Sequence, residues 1–521
     1  MAIEIDRSFG YFSQLIDSRE EPAADSGAAA GAAAELRRPE PPRATLLLDV
    51  ELRSDAVARL TLAIERMDRF LQREENRRKG DADPTRLLGY ILADEARRLL
   101  RGALGSHALV LEESTLRSAY RLLGMLSHLA AWSAPASQES HALNSFPLAA
   151  ARDVVAYSRY GCAETTAQES AYAALLGFDA ANTRLLLTSS GMAAYALIEN
   201  FLLREVCRPG DTVLVHPGVY FETQEQLRSL PFLATQVAAG ASRREMLAEI
   251  AARQPKVVFV DPLTNTADLR LMDLGSLLQD MGQCIAADTW VVVDGTLLSG
   301  GFNPFALALS PKIHVLYYES GCKYLQFGMD LGPAGVVVTE PALAGRFERL
   351  RRGLGAIAAE PIILPRVSRA AYLAYLRAQT ASAQAVARAV DAYSETAGET
   401  TLEPVFPGRV DHPDHAEAAA YPHLGGVLAF RFVDPRFNRR DLLEDFIDTL
   451  MARSRAARIA LTAGVSFGYR VPRIGAAWSS YDASTSFLRL SAGVDAEAAG
   501  ALGALIARCA AEAAAPDQFC I

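Results

Sequence analysis

The chain has 521 residues, half of them hydrophobic and 22% charged, with a formal net charge of −9. That length supports two or three domains with substantial cores, and the acidic balance argues against nucleic acid as a partner. No apolar stretch approaches the roughly 20 residues that cross a bilayer, so no membrane span is expected.

At the N-terminus, MAIEIDRSFGYFSQLIDSRE lacks the basic and apolar regions of a secretory signal. The six cysteines are scattered and none falls in a C-x-x-C pair, which suits reduced thiols and a cytoplasmic location. Residues 20–45, rich in Ala, Gly, Pro and Glu, read as a flexible or partly ordered linker. Helical patterns follow. Ser54 is the expected N-cap of a helix with Val57, Leu60, Ile64, Met67 and Leu71 on one face, ending near Gly80. Asp83-Pro84 starts a second helix carrying Leu87, Leu88, Ile91, Leu92 and Leu99, and a third runs from about Leu111 to Trp132. This all-helical region, 1–145, holds no catalytic constellation and reads as serving packing or assembly.

From about residue 146 strands and helices alternate. Short apolar runs recur at 184–188, 212–216, 256–260, 290–294, 313–318 and 334–339, separated by segments suited to right-handed crossovers. This predicts an α/β fold with a mainly parallel sheet covered on both faces. A large domain over 146–365 gives way to a long helical pattern and a smaller C-terminal α/β domain, 366–521, with strands near GGVLAFRF and SFLRLSAG.

Ligands in such sheets bind beyond the carboxyl ends of the strands, so the residues there carry the functional argument. Lys323 follows one run in Tyr317-Tyr318-Glu319-Ser320-Gly321-Cys322-Lys323, and Asp294 closes another. A lysine amine and a carboxylate so placed meet the needs of pyridoxal phosphate (PLP): a Schiff base with its aldehyde, and an acid that keeps its ring nitrogen protonated. Asp294 also suits a simple turn. Ser189-Ser190-Gly191-Met192 opens a helix after the first strand, either as a plain cap or as a phosphate cradle. Tyr220 is either a ring that stacks on a flat cofactor or a half-buried tyrosine, and Asn265 is either a ligand or a turn residue. Arg489 interrupts an apolar run, which calls for an anionic partner such as an α-carboxylate. His412 and His415 stand close together in DHPDH, a turn-rich segment, and no metal site is expected.

In this order the motifs resemble the cystathionine γ-synthase/methionine γ-lyase group, the Cys/Met metabolism family of fold-type I PLP-dependent enzymes, over roughly 146–515. Tyr157-Ser158-Arg159 is similar to that family's Tyr-x-Arg, which reaches a neighbouring subunit's cofactor phosphate. Ser189-Ser190-Gly191-Met192-Ala193-Ala194 is identical to its phosphate turn, Asn265 matches its T-P-x-N-P, and Tyr220 its stacking tyrosine. Asp294 and Thr296 fall in its V-D-N-T, Ser320, Cys322 and Lys323 in its S-A-T-K, and Ser466 and Arg489 in its S-L-G and L-I-R-L-S. Cys322 replaces a threonine, Gly295 an asparagine, and Gln326-Phe327-Gly328-Met329-Asp330 the usual G-G-H-S-D; the N-terminal helices are not typical either.

The resemblance implies a seven-stranded sheet in the large domain and PLP on Lys323, with Tyr220 and Asp294 as further catalytic groups. Ser190, Gly191, Met192, Tyr220, Asn265, Asp294, Thr296, Ser320, Cys322, Tyr157 and Arg159 would bind the cofactor, and Arg489 and Ser466 the amino-acid substrate. It implies γ-elimination or γ-replacement through aldimine, quinonoid and vinylglycine-type intermediates, in a homodimer or homotetramer with shared sites. A specialised-metabolism enzyme making an unsaturated or C–C-coupled amino acid, an aminotransferase, and a non-catalytic homologue stand as alternatives.

Overall fold

The structure is a computed structural model that describes residues 43–72, 83–105, 113–131, 163–356, 364–478 and 486–514. Residues 41–521 cluster as one compact unit. Of the expected linker at 20–45, residues 43–45 are helical; the rest of it, the helix end near Gly80, and Tyr157 and Arg159 lie outside the described residues.

The N-terminal layer begins with α1, Arg43–Gln72. Leu48, Leu52, Ala56, Leu60, Ile64, Met67 and Leu71 recur every three or four residues and are all buried. Ser54 is therefore no N-cap. The apolar face extends a further two turns upstream to Leu48, and its packing carries the helix through the serine. Helix α2, Pro84–Arg101, begins as expected, with the Asp83 side chain accepting from the backbone of Thr85 and Arg86. Its buried face differs from the leucine-rich one. Gly89, Leu92, Ala93 and Ala96 are buried, whereas Leu87, Leu88 and Ile91 are exposed, because small residues let α2 approach Met67 and Leu71 of α1 closely. Helix α3, Glu113–Ala131, buries Leu116, Ala119, Tyr120, Leu123 and Leu126 and packs against α1 and α2.

After α4, Ala163–Leu176, the chain builds a seven-stranded sheet. Its strands are β1 (Arg184–Thr188), β2 (Thr212–Val215), β3 (Ala234–Val237), β4 (Val257–Val260), β5 (Thr289–Asp294), β6 (Ile313–Ser320) and β7 (Gly335–Thr339). The spatial order is β1-β7-β6-β5-β4-β2-β3, and only the pairings of β7 are antiparallel. Helices α5 (Gly191–Phe201), α6 (Phe221–Arg228), α7 (Arg243–Arg253), α8 (Leu274–Cys284) and α9 (Pro341–Leu354) connect or follow the strands. The central runs are buried on both faces, which is why they read as continuous apolar stretches. Edge strand β3, Ala-Thr-Gln-Val, is only half-buried and carries no such signal; its pairing with β2 makes it a strand. In register, Asp294 stands opposite Tyr318 and Ser320 opposite Gly335, which in turn faces Thr188. The carboxyl ends of β1, β5 and β6 thus open on one rim.

Helix α10, Arg369–Ala397, leads to a five-stranded sheet with order β10-β11-β12-β9-β8. These are β8 (Leu402–Val405), β9 (Val427–Phe432), β10 (Thr462–Ala463), β11 (Arg473–Trp478) and β12 (Ser486–Ser491), accompanied by α11, Arg440–Ala456, and α12, Ala496–Ala514. Among the described residues no helix is long and apolar enough to cross a membrane.

Candidate active site

Strand β6 ends at Ser320, and the chain turns through Gly321 and Cys322 to place Lys323 just before a short 3-10 turn. The Lys323 Nζ donates to Ser466 Oγ at 2.8 Å and lies 5.2 Å from the centre of the Phe467 ring. Burial, with Arg489 nearby, pulls its amine down to about 8 from the ordinary 10.5. The loop carrying Ser466 fits closely over the lysine. Gly468 has φ +85°, and a Cβ there would come within 2.7 Å of the Lys323 carbonyl carbon, so a side chain is excluded twice over.

Arg489, on β12, has its guanidinium 5.7 Å from the same Phe467 ring. It donates to Asn265 Oδ1, beyond β4, and to the Val465 carbonyl. Both acceptors are neutral oxygens. Burial pulls this arginine down to about 10, and the Tyr220 and Tyr324 hydroxyls oppose the fall. Lys323, Ser466, Asn265 and Arg489 therefore meet around Phe467, with Tyr220 within electrostatic reach. Phe467 had no role assigned from sequence. Only its place between Ser466 and Gly468 could have pointed to it.

A second cluster lies along the rim. Thr296 donates to Asp294 Oδ1 from its backbone at 3.0 Å and from its hydroxyl at 2.6 Å, and the same hydroxyl accepts from the Ser320 backbone at 3.0 Å. Burial raises the Asp294 carboxyl, while the Thr296 and Tyr318 donors lower it. Asp261, at the neighbouring strand end, is pushed well above the carboxylate range by burial and by the charge of Asp294. Ser320 touches the start of α5: a Cβ on Gly191 would lie 2.8 Å from the Ser320 Cβ. The Ser190 hydroxyl accepts from the Ala193 backbone at 3.0 Å and so caps this helix, as the simpler expectation had it. Gly191 and Met192 occupy the first turn, where helix N–H groups lack intrahelical partners.

Cys322 bonds the chain beyond the lysine turn. Its sulfur accepts from the Ala334 backbone at 3.4 Å and lies 3.7 Å from the Gly332 carbonyl, which ties the lysine turn to the segment entering β7. Gly295 leaves room for Tyr317, whose hydroxyl sits where a Cβ would be. That hydroxyl donates to Glu319, which also accepts from Ser299 at 2.6 Å; Ser299 in turn bonds the Tyr372 hydroxyl at 2.6 Å. Burial pushes Glu319 up to about 8 against these donors. Sequence gave no role to this network. The one available signal was an acid inside an apolar strand. His412 bonds the Asp268 carbonyl at 3.0 Å, and no group of three or more metal-binding side chains occurs among the described residues.

The donor set suits PLP. A half-buried amine poised near neutrality, a buried carboxylate at the next strand end, a serine beside a helix N-terminus, and an arginine bonded to two neutral oxygens are groups that its linkage, ring, phosphate and a substrate carboxylate would need.

No protein-family model matches this sequence. Over 322 residues, 61% of this chain, it is 31% identical to the bifunctional enzyme flvA of Aspergillus flavus, of which it covers 38%. Over 178 residues, 33% of this chain, it is 30% identical to cystathionine β-lyase of Saccharomyces cerevisiae, of which it covers 37%. The chain thus spans under two-fifths of the length of these curated relatives. The structure of cystathionine γ-synthase from Xanthomonas oryzae pv. oryzae in complex with aminoacrylate and cysteine matches with a TM-score of 0.55 at 25% identity, over 68% of this chain and 88% of that one. The architecture is that of fold-type I PLP-dependent enzymes, and the chain fits their Cys/Met metabolism family.

Proposed function

We propose that this protein is a PLP-dependent enzyme that acts at the γ-carbon of an amino acid, by elimination or replacement. The observation that carries the reading is the half-buried Lys323, its amine bonded to Ser466, with the Arg489 guanidinium near the same phenylalanine ring. Lys323 would hold the cofactor, Asp294 would face its ring nitrogen, and Ser320 with the Gly191 and Met192 backbone would hold its phosphate. Once joined to a substrate amine, the PLP ring accepts the electrons released at carbon and so makes the adjacent C–H bonds acidic.

The protein's own groups do the rest. Arg489 exchanges neutral acceptors for the substrate α-carboxylate and fixes the direction of the Cα–H bond. Lys323 Nζ would be the base that takes the Cα proton, a task suited to an amine with its affinity lowered to about 8. Tyr220 is assigned ring stacking and the later proton movement that frees a leaving group from Cγ. Domains at 146–365 and 366–521 behind a 1–145 extension, a homodimer or homotetramer sharing Tyr157 and Arg159, and a cytoplasmic location belong to the same proposal.

A second reading, the same chemistry turned to an unsaturated or C–C-coupled amino acid, is favoured by one observation. Residues that depart from the family pattern are built into the fold rather than left as gaps: Tyr317 fills the space at Gly295, and Cys322 anchors the segment before β7. Incubation of the purified protein with a panel of γ-substituted amino acids, followed by mass spectrometry, decides between them. Release of the γ-substituent with a keto acid or a substituted amino acid supports the first reading, and a carbon-extended or unsaturated amino acid the second. A product that retains the γ-group as its keto acid would mark an aminotransferase and overturn both.

A further inference from the structure

The N-terminal helices contain no catalytic constellation; several of their polar contacts bind the segment at 364–368, and two reach the loops around Lys323. On α1, Asp49 forms an ion pair with Arg470 at 2.5 Å, with the two side chains 1% and 10% exposed. Arg470 follows Ser466-Phe467-Gly468 by two residues, in the loop that covers the lysine. On α3, Arg117 donates to the Met329 carbonyl at 2.6 Å, in the segment just after the lysine. The two loops also pack on each other, since a Cβ on Gly328 would lie 2.8 Å from the Arg470 backbone nitrogen. Gln326 closes the second loop by accepting from the Leu331 backbone at 2.6 Å and donating to the Gly332 carbonyl at 2.6 Å. The Gln-Phe-Gly-Met-Asp segment that departs from the family pattern is therefore the segment that meets the extra helices.

We propose that this helical layer braces the active-site lysine, with Asp49 and Arg117 as positioning residues that act through Arg470 and the Met329 carbonyl to hold Ser466 over the Lys323 amine. A buried ion pair confers little net stability over apolar packing, but it fixes its partners in one arrangement and leaves an uncompensated charge when half of it is removed. Here the arrangement fixed is that of the loop supplying the acceptor for Nζ. Ionisable groups surround both ends of the device. Glu113 and Tyr375 face Arg470, Arg53 faces Asp49, and Arg489, Cys322, Asp330 and Arg473 face the lysine.

The inference rests on Lys323 being the functional amine, and its test does not require cofactor. In the full chain, the pH profile of Lys323 acylation by a small amine-reactive reagent, read by peptide mass spectrometry, reports the proton affinity of Nζ directly. Burial is the largest influence on that affinity, so loosening the loop admits water and moves the midpoint up. Asp49→Asn is expected to raise it by about half a unit to one unit, and Arg117→Ala by less, with faster hydrogen exchange at 464–470 and 326–330 in both. Arg97→Ala, which removes the Arg97–Asp68 pair inside the same layer, serves as the control and should leave the midpoint unmoved. Midpoints and exchange unchanged in both Asp49→Asn and Arg117→Ala, whatever happens to the melting temperature, would reduce the layer to packing and overturn the proposal. Failure of the parent chain to take up PLP would count against the proposed function, while the acylation profile would still decide the brace.

Discussion

The seven-stranded sheet and the N-terminal helical layer both bear on Lys323, by different means. The sheet acts locally: Asp294, Ser320 and the start of α5 are placed by strand ends that stand side by side in register. The helical layer acts at a distance in sequence, through an ion pair between residues 49 and 470 and a bond from residue 117 to residue 329. In the proposed function the sheet supplies the reacting groups, and in the proposed brace the layer restrains the loops beside them. Groups of the first kind are identifiable by type and position along the chain. Those of the second kind are ordinary charged residues until the fold brings them together.

Substitutions should separate the two contributions, and the largest effect belongs to the sheet. Lys323→Ala should cut turnover by about 10³-fold or more and abolish the visible absorbance of lysine-bound cofactor, with the melting temperature little changed. Retained absorbance would remove the central assignment. Arg489→Lys keeps the charge but loses the planar fork, and should lower kcat/KM by about a hundredfold, mostly through KM for the amino acid. An unchanged KM would place the carboxylate elsewhere.

The pH dependence of cofactor uptake by the apoprotein comes next. Condensation needs the neutral amine, and lowering Lys323 to about 8 makes roughly a quarter of it neutral at pH ~7.5, against about a thousandth for an ordinary lysine. The initial rate should therefore rise nearly tenfold per pH unit up to about 8 and level off above it. A rise continuing past pH ~10 would mean that the amine is not depressed. The smallest effect tests how the sheet absorbed a departure from its family. Gly295→Asn should cost about 1–3 kcal/mol by driving a side chain into Tyr317, and Tyr317→Phe combined with it should recover part of that loss in chemical denaturation.

Much of the site was legible because a polar or small residue closing an apolar run is conspicuous. Lys323, Asp294, Ser320 and Gly191 all stand at such ends. Other features lacked a local signature. Edge strand β3 and the short β10 are too polar or too brief to show a strand pattern, and pairing alone makes them strands. Ser54 looked like a helix start, but a buried leucine face upstream overrode its capping preference. The leucines of α2 suggested one face, while close packing against α1 selected the small residues of another. Glu319 became a shielded acid only when Ser299, Tyr317 and Tyr372 converged on it.

By itself the sequence determined the alternation of strands and helices, the strand ends that form the rim, and the lysine and carboxylate that stand there, because hydrophobic periodicity and residue type act over a few positions. Only the tertiary structure decided that Ser466 receives the lysine's hydrogen bond, that both cations lie near the Phe467 ring, and that helices more than 190 residues upstream contact the loops around them. The reason is physical. A hydrogen bond or ion pair exists only at a few ångströms, and which distant residues reach that separation depends on how whole surfaces pack.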